Sequence, residues 1–207
     1  GMKRYEDLNM LELDTIREIG SIGTGNAATA LSGLLGCEVR ITMPEVRIMG
    51  YNEAIDWIGG PEAITAGVLV RLDGELKGIM LSVQQLEFVD LVLSRTVGRT
   101  VDDYNQLDEL DRSALVEVGN IMISTIINAL SGLADLRVSL TVPAFAVDMQ
   151  GAILAVPMAE YGGQSDYIMT IGADFVCNHQ AVPCRLLLSP DMGSLNYLLK
   201  KLGVSDD

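Results

Sequence analysis

Glu117 and Asn120 stand three residues apart in the apolar run LVEVGNIMISTIINALSG (115–132), and Ser113 lies four residues ahead of the glutamate. At helical spacing the three share one face. An earlier run, IREIGSIGTGNAATALSG (16–33), carries Glu18 and Ser21 at the corresponding places, with Asp14 just ahead of it. Such a face is either the solvated stripe of an amphipathic helix or a polar site present twice in the chain, and recurrence at matched positions weighs towards a site. Gly20 and Gly119 sit next to the glutamates. They would let the backbone of a partner come close or serve tight packing, and the residues leave both open. Gly23 and Gly25 favour packing, because a glycine inside a helix costs ~1 kcal/mol against alanine and needs a compensating contact.

Other chemistries have weaker support. The run GSIGTG lacks the Lys-Ser/Thr pair of a phosphate-binding loop and follows no strand. His179 is the single histidine, which excludes metal sites needing two and gives a Ser-His-Asp triad no footing. A turn residue is the better reading of it. Cys177, His179 and Cys184 have irregular spacing and no fourth ligand, so no zinc site is expected. The acidic cluster Asp102, Asp103, Asp108, Glu109 and Asp111 lacks the alternation and glycine of a calcium loop and reads as charge at a helix N-terminus. No metal site is expected.

The elements that must position these residues follow from an internal repeat at an offset of 99 residues. Glu18, Gly20 and Ile22 match Glu117, Gly119 and Ile121; Ala30 to Leu34 match Ala129 to Leu133; Val39, Thr42 and Pro44 match Val138, Thr141 and Pro143. Helical periodicity covers roughly 10–34 and 107–133. Alternating strands follow over 38–49 and 137–149, each interrupted by a proline that suits an edge or a bulge. A hairpin comes next in each half. In the first, Asp73-Gly74 predicts a two-residue turn; in the second, a longer turn is expected near Asn178-His179. Closing helices are predicted over 84–98 and 189–203. The fold class is therefore α+β, a pseudo-twofold repeat of helix-strand-hairpin-helix halves with about six mostly antiparallel strands and the long motif helices on the surface. One domain over 3–207 is expected, with repeats at about 10–98 and 107–203 joined by the polar crossover 99–108.

A formal net charge of −14 argues against nucleic acid, whose phosphates require clustered Lys and Arg. The longest apolar stretches, such as GAILAVPMA (151–159), fall short of the ~20 residues that span a bilayer, so no membrane insertion is expected. The N-terminus lacks the apolar core of a signal peptide, Gly1 before Met2 reads as an added residue, and a cytoplasmic location is expected. Three scattered cysteines, Cys37, Cys177 and Cys184, suggest free thiols.

The doubled motif, LVEVGNI and IREIGSIGTGNAATALS, resembles the CheC family of bacterial chemotaxis phosphatases, the CheC/CheX/FliY group, and the resemblance covers essentially the whole chain. It implies hydrolysis of the aspartyl phosphate on the response regulator CheY, with Mg²⁺ on the receiver and no cofactor of the enzyme's own. On that resemblance Asn120 orients the attacking water and Glu117 docks the receiver through its lysine. Ser113, Asp14, Gly119 and Gly20 would lie at the partner-binding face. The departure is Ser21, whose hydroxyl is shorter than a carboxamide, so the first site, Glu18 with Ser21, is expected to be impaired. Two further readings follow from the resemblance. One is a largely non-catalytic scaffold binding the receptor deamidase CheD. The other is a FliY-type switch component, disfavoured because no further domain follows KKLGVSDD. A monomer is expected, since two motifs in one chain already supply the symmetry of a one-motif dimer.

Overall fold

The computed structural model describes residues 4–161, 163 and 165–205. Gly1, Met2 and the extreme ends of the expected 3–207 span lie outside them. Helix α1 (Met10–Leu35) opens the first half and α4 (Glu109–Ala134) opens the second. Both begin in a capping box at repeat-equivalent positions. The Asn9 side chain accepts from the Glu12 N–H at 2.9 Å while Glu12 accepts from the Asn9 N–H at 3.0 Å. Asp108 accepts from the Asp111 N–H at 2.9 Å, and Asp111 accepts from the Asp108 N–H at 3.1 Å. Each box satisfies two backbone donors that the first helical turn leaves unpaired. Asp111 is fully buried and is held by the Arg99 guanidinium, which also reaches Asp108. Of this acidic stretch Asp108 and Asp111 are thus capping groups of α4, and Glu109 adds charge in its first turn. Gly36 and Asp135 end the two helices in the left-handed conformation.

Along α1 the residues Ile16, Ile19, Leu31 and Leu35 are buried, and along α4 Leu115, Val118, Met122, Ile126 and Leu130. This 3.6-residue periodicity drives each helix onto the core, a fully buried aliphatic side chain contributing roughly 1.5–3 kcal/mol. The helices also pack on each other. A Cβ on Gly23 would stand 2.6 Å from the Ile126 Cα, so backbone approaches backbone there and only glycine fits. Gly25 meets nothing within 4 Å and is exposed, contrary to the packing expected of it. By length and composition α4 is apolar enough to cross a membrane, but its apolar face is buried against α1, α3 (Leu86–Thr96) and the sheet.

Each proline-interrupted strand is divided in two: β1 (Val39–Ile41) and β2 (Glu45–Gly50) flank Pro44, while β5 (Val138–Leu140) and β6 (Ala144–Met149) flank Pro143. With the hairpins β3 (Ile64–Gly74) with β4 (Gly78–Gln84) and β7 (Tyr167–Cys177) with β8 (Gln180–Pro190), they form one antiparallel sheet. Its order is β1-β7-β8-β4-β3-β5, with β2 also on β7 and β6 also on β3. The outer strands of each half therefore pair with the hairpin of the other half. The long helices, α3 and α6 (Met192–Lys201) cover one face, and α2 (Tyr51–Trp57) with α5 (Gln150–Tyr161) covers the other, over Leu81, Val83 and Leu187.

Two local expectations are corrected. The Asp73-Gly74 pair is not the turn: β3 runs through it, because Asp73 and Gly74 pair with Ser139 and Val138 of β5, and the chain reverses over 75–77. The two-residue turn is the other one. Asn178 and His179 have φ of 48° and 69°, and Cys177 pairs directly with Gln180. Cys37 and Cys177 are joined in a disulfide across 140 residues, not free; Cys184 alone is a free thiol, fully buried, with its pKa pushed up to about 12 by that burial.

Candidate functional site

The second motif helix presents its polar face where α4 passes beside the kink between β5 and β6. Seating begins underneath. Buried Gln84, at the end of β4, donates from Nε2 to the Leu115 carbonyl at 3.0 Å, fixing the turn of α4 that precedes Glu117. Gly119 makes that fit possible, since a Cβ there would stand 2.8 Å from Val68 and 3.1 Å from Gln84 Nε2. Gly119 thus faces the sheet. Of the two readings left open for it, close seating of α4 is the one these contacts fit, so its place among the partner-binding residues is corrected. Gly20 is likewise buried, and a Cβ there would meet Pro44 Cγ at 3.6 Å, so it too faces inward.

The kink is fixed by Thr141, whose N–H donates to the Arg71 carbonyl at 3.0 Å while its hydroxyl accepts from the Arg71 N–H at 2.9 Å. With both of its ladder bonds made at Thr141, the chain leaves the sheet at Val142-Pro143 and lies against α4. Thr42 makes the same pair of bonds to Asp174, at 3.0 and 2.9 Å, in front of Met43-Pro44. The Thr-x-Pro signal was present in the sequence twice, but its role as a clip needed the partner strand.

Between α4 and this kink runs an open groove of about 920 Å³, lined by Glu109, Leu110, Arg112, Ser113, Val116, Glu117, Asn120 and Pro143. The predicted trio Ser113, Glu117 and Asn120 is brought together on one wall. Glu117 and Ser113 are exposed and Asn120 is half-buried. Among the described residues neither the Glu117 carboxylate nor the Asn120 carboxamide takes a hydrogen-bond or ion-pair partner. Their polar ends are available to something outside the chain. Sequence reading missed Arg112, Leu110 and Glu109. The Arg112 guanidinium lies 5.8 Å from the Phe145 ring centroid, a cation–π contact that holds it at the groove wall. Its repeat equivalent is Leu13, so the doubled motif gave no hint of it.

On α1 the corresponding face holds Glu18, exposed, and Ser21, half-buried, with Asp14 3.9 Å from Arg17. The two faces lie beside opposite ends of the sheet, since β1/β2 and β5/β6 are its two edges. Chemically, each face offers a carboxylate for a cationic group; only the second adds a carboxamide that can donate and accept at once. Among the described residues no group of three or more His, Cys, Asp and Glu is placed to hold a metal ion.

The CheC-like family model matches residues 11–48 and 110–147, which in both halves run from the motif helix through the Thr-x-Pro kink. The CheY-P phosphatase CheC of Bacillus subtilis (strain 168) is 26% identical over 208 residues, covering 99% of this chain and 100% of that protein. Among solved structures, Thermotoga maritima FliY superposes with a TM-score of 0.73 at 23% identity, covering 94% of this chain and 99% of that one. A CheX–CheY–BeF3–Mg²⁺ complex from Borrelia burgdorferi gives a TM-score of 0.50 at 17% identity, covering 81% of this chain and 95% of that one.

Proposed function

We propose, from the CheC-like match over residues 11–48 and 110–147 and the full-length similarity to a CheY-P phosphatase CheC, that the chain hydrolyses the aspartyl phosphate of a CheY-type response regulator, with Asn120 as the catalytic residue and Glu117 as the docking residue. The observation that carries this reading is the pair itself: a carboxylate and a carboxamide, one turn apart, both without partners among the described residues, on the wall of an open groove. The relative named CheY-P phosphatase CheC and the CheX–CheY complex point to the same substrate class.

An acyl phosphate is already activated, and phosphoryl transfer depends mainly on in-line placement of the nucleophile and on neutralising charge. The receiver's own Mg²⁺ and lysine supply the charge. What remains is a water, which the Asn120 carboxamide positions by accepting from it while donating to a phosphoryl oxygen. The water oxygen forms the new bond to phosphorus, the aspartyl C–O–P linkage breaks at phosphorus, and the products are the free carboxylate and inorganic phosphate. The water's proton passes to phosphate or solvent, since an amide is no base. Glu117 pairs with the receiver's lysine and sets the approach. Ser113 and Arg112 flank the docking surface. On α1, Ser21 is too short to reach a water inside the receiver, so the second-half site is the dominant one.

The test is phosphate release from phosphorylated receiver in excess over the enzyme. Asn120→Ala removes most of the turnover and Ser21→Ala little. Loss of activity in Ser21→Ala with Asn120→Ala unaffected would refute the assignment. Loss of phosphate that speeds up only at stoichiometric amounts of protein would favour binding alone, the largely non-catalytic scaffold reading.

A further inference from the structure

We infer that Gln84 is a positioning residue for the second polar face: its buried side chain holds the α4 turn that carries Glu117 and Asn120 at a fixed height on the sheet, and turnover depends on that hold while stability does not. The inference rests on the proposed phosphatase reading of that face.

The sheet has a counterpart position in the first half, and it is apolar. Ala66 of β3 pairs with Val147 of β6 on one side and with Gln84 of β4 on the other. Met169 of β7 pairs in the same way with Ile48 of β2 and with Leu188 of β8. Val147 and Ile48 are equivalent at the 99-residue offset of the repeat, so Leu188 is the counterpart of Gln84. Both side chains are buried. Leucine therefore suits this place in the fold, and the glutamine needs a reason. Its amide is only half satisfied: Nε2 donates to the Leu115 carbonyl at 3.0 Å, but Oε1, equally buried, has no hydrogen-bond partner among the described residues. An acceptor stripped of water and left unpaired destabilises the folded chain.

What the amide gains is a grip on the helix. In an α-helix the Leu115 carbonyl accepts from the Gly119 N–H, so Gln84 holds the turn that carries Glu117 and that Asn120 directly follows. The strand end bearing Gln84 is itself fixed, its carbonyl accepting from the Tyr104 hydroxyl at 2.9 Å and from the Thr65 hydroxyl at 3.2 Å. Close approach completes the seat. A Cβ on Gly119 would stand 3.1 Å from Gln84 Nε2, whereas one on Gly20 would meet nothing nearer than Pro44 Cγ at 3.6 Å. The helix of Asn120 is thus pressed onto the sheet through a directional bond; Leu188 has no polar atom to offer α1.

Turnover is the step that feels this hold. A misplacement of ~1 Å in a group that positions a reacting water costs on the order of 10²-fold. Glu117 reaches its partner from an exposed side chain and accommodates such a shift; Asn120, shorter and half-buried, does not. Loss of the Gln84 bond should therefore appear in kcat and not in KM.

The experiment is Gln84→Leu, which copies the residue of the first half, read by phosphate release from phosphorylated receiver under multiple turnover and by urea unfolding. The variant is expected to unfold at a urea concentration no lower than the wild type, to keep KM within about two-fold, and to lose about ten-fold in kcat per folded chain. Gln84→Met, similar in length and unable to donate, should give the same result and carries the test if the branched side chain prevents folding. A kcat within about two-fold of the wild-type value overturns the inference and leaves the phosphatase reading intact. So does a lower urea midpoint in both variants, which marks the glutamine as structural, and so does a rise in KM that matches the fall in kcat, which marks lost docking. No phosphate release by the wild-type chain overturns the phosphatase reading and this inference with it.

Discussion

Supplying the missing carboxamide is the most direct perturbation of the first site. Ser21→Asn places it at the position equivalent to Asn120, on a half-buried face of α1. The folding cost is small, since serine and asparagine have nearly equal helix propensities and differ by a few tenths of a kcal/mol. In the Asn120→Ala background, losing a positioned polar group lowers kcat by on the order of 10²–10³, the range for deleting one such hydrogen-bonding group. Adding Ser21→Asn to that background is expected to return kcat to within about ten-fold of the wild-type value, which corresponds to regaining roughly 1.4–3 kcal/mol of the barrier. Full recovery is not expected, because Asp14 and Arg17 stand where the second site has Ser113 and Val116. In an otherwise wild-type chain, Ser21→Asn is expected to raise kcat by no more than about two-fold, as two sites replace one. Phosphate release under multiple turnover, with thermal melts to show that each variant is folded, reads all of this. A folded Ser21→Asn, Asn120→Ala chain that is as slow as Asn120→Ala alone would refute the equivalence of the two faces.

Glycine substitutions on α1 should diverge. Gly23→Ala, whose Cβ would meet the Ile126 backbone at 2.6 Å, is expected to destabilise by about 1–3 kcal/mol, and Gly25→Ala, with nothing within 4 Å, to stabilise by about 0.5–1 kcal/mol, both read by urea unfolding. Cys184, buried with its pKa pushed up to about 12, should resist thiol reagents at pH 8 in the folded protein and react once it is unfolded, as followed by mass spectrometry. The Asp108 carboxyl is held below the usual carboxylate range, first by the Asp111 N–H and then by Arg99. Its contribution is therefore present above the unfolded pKa of ~3.9 and lost as pH falls through the lower folded value. Thermal melts between pH 2 and 6 should show Asp108→Asn, which keeps the cap, flattening that part of the acid limb.

The two long helices, the doubled motif and the position of His179 in a turn were legible in the sequence because each rests on local periodicity or on a repeat. Partnering between distant segments was not. The alternation in 38–49 and 137–149 fits pairing with either hairpin, and nothing local distinguishes β7 from β3 as the neighbour. The Cys37–Cys177 link crosses 140 residues for the same reason. Asp73-Gly74 carries the chemistry of a tight turn, yet pairing with β5 draws it into the strand, so a tertiary contact overrode a local preference. Helices α2 and α5 escaped because seven residues give too short a pattern and because Pro157 sits inside the second. On the groove wall, the shared face of Ser113, Glu117 and Asn120 was legible from their helical spacing, whereas Arg112, held against Phe145 only in the folded chain, was not.

The exchange of edge strands between halves has a further consequence for how such a protein changes over time. Two separate identical subunits trading the same strands would form an equivalent sheet, but any substitution in the gene would then appear at both faces at once. A fused chain removes that constraint. Ser21 can take the place of asparagine on one face while Asn120 persists on the other, and the shared sheet keeps both halves folded whichever face drifts. The duplicated architecture thereby allows the two polar faces to be adjusted independently within a single polypeptide.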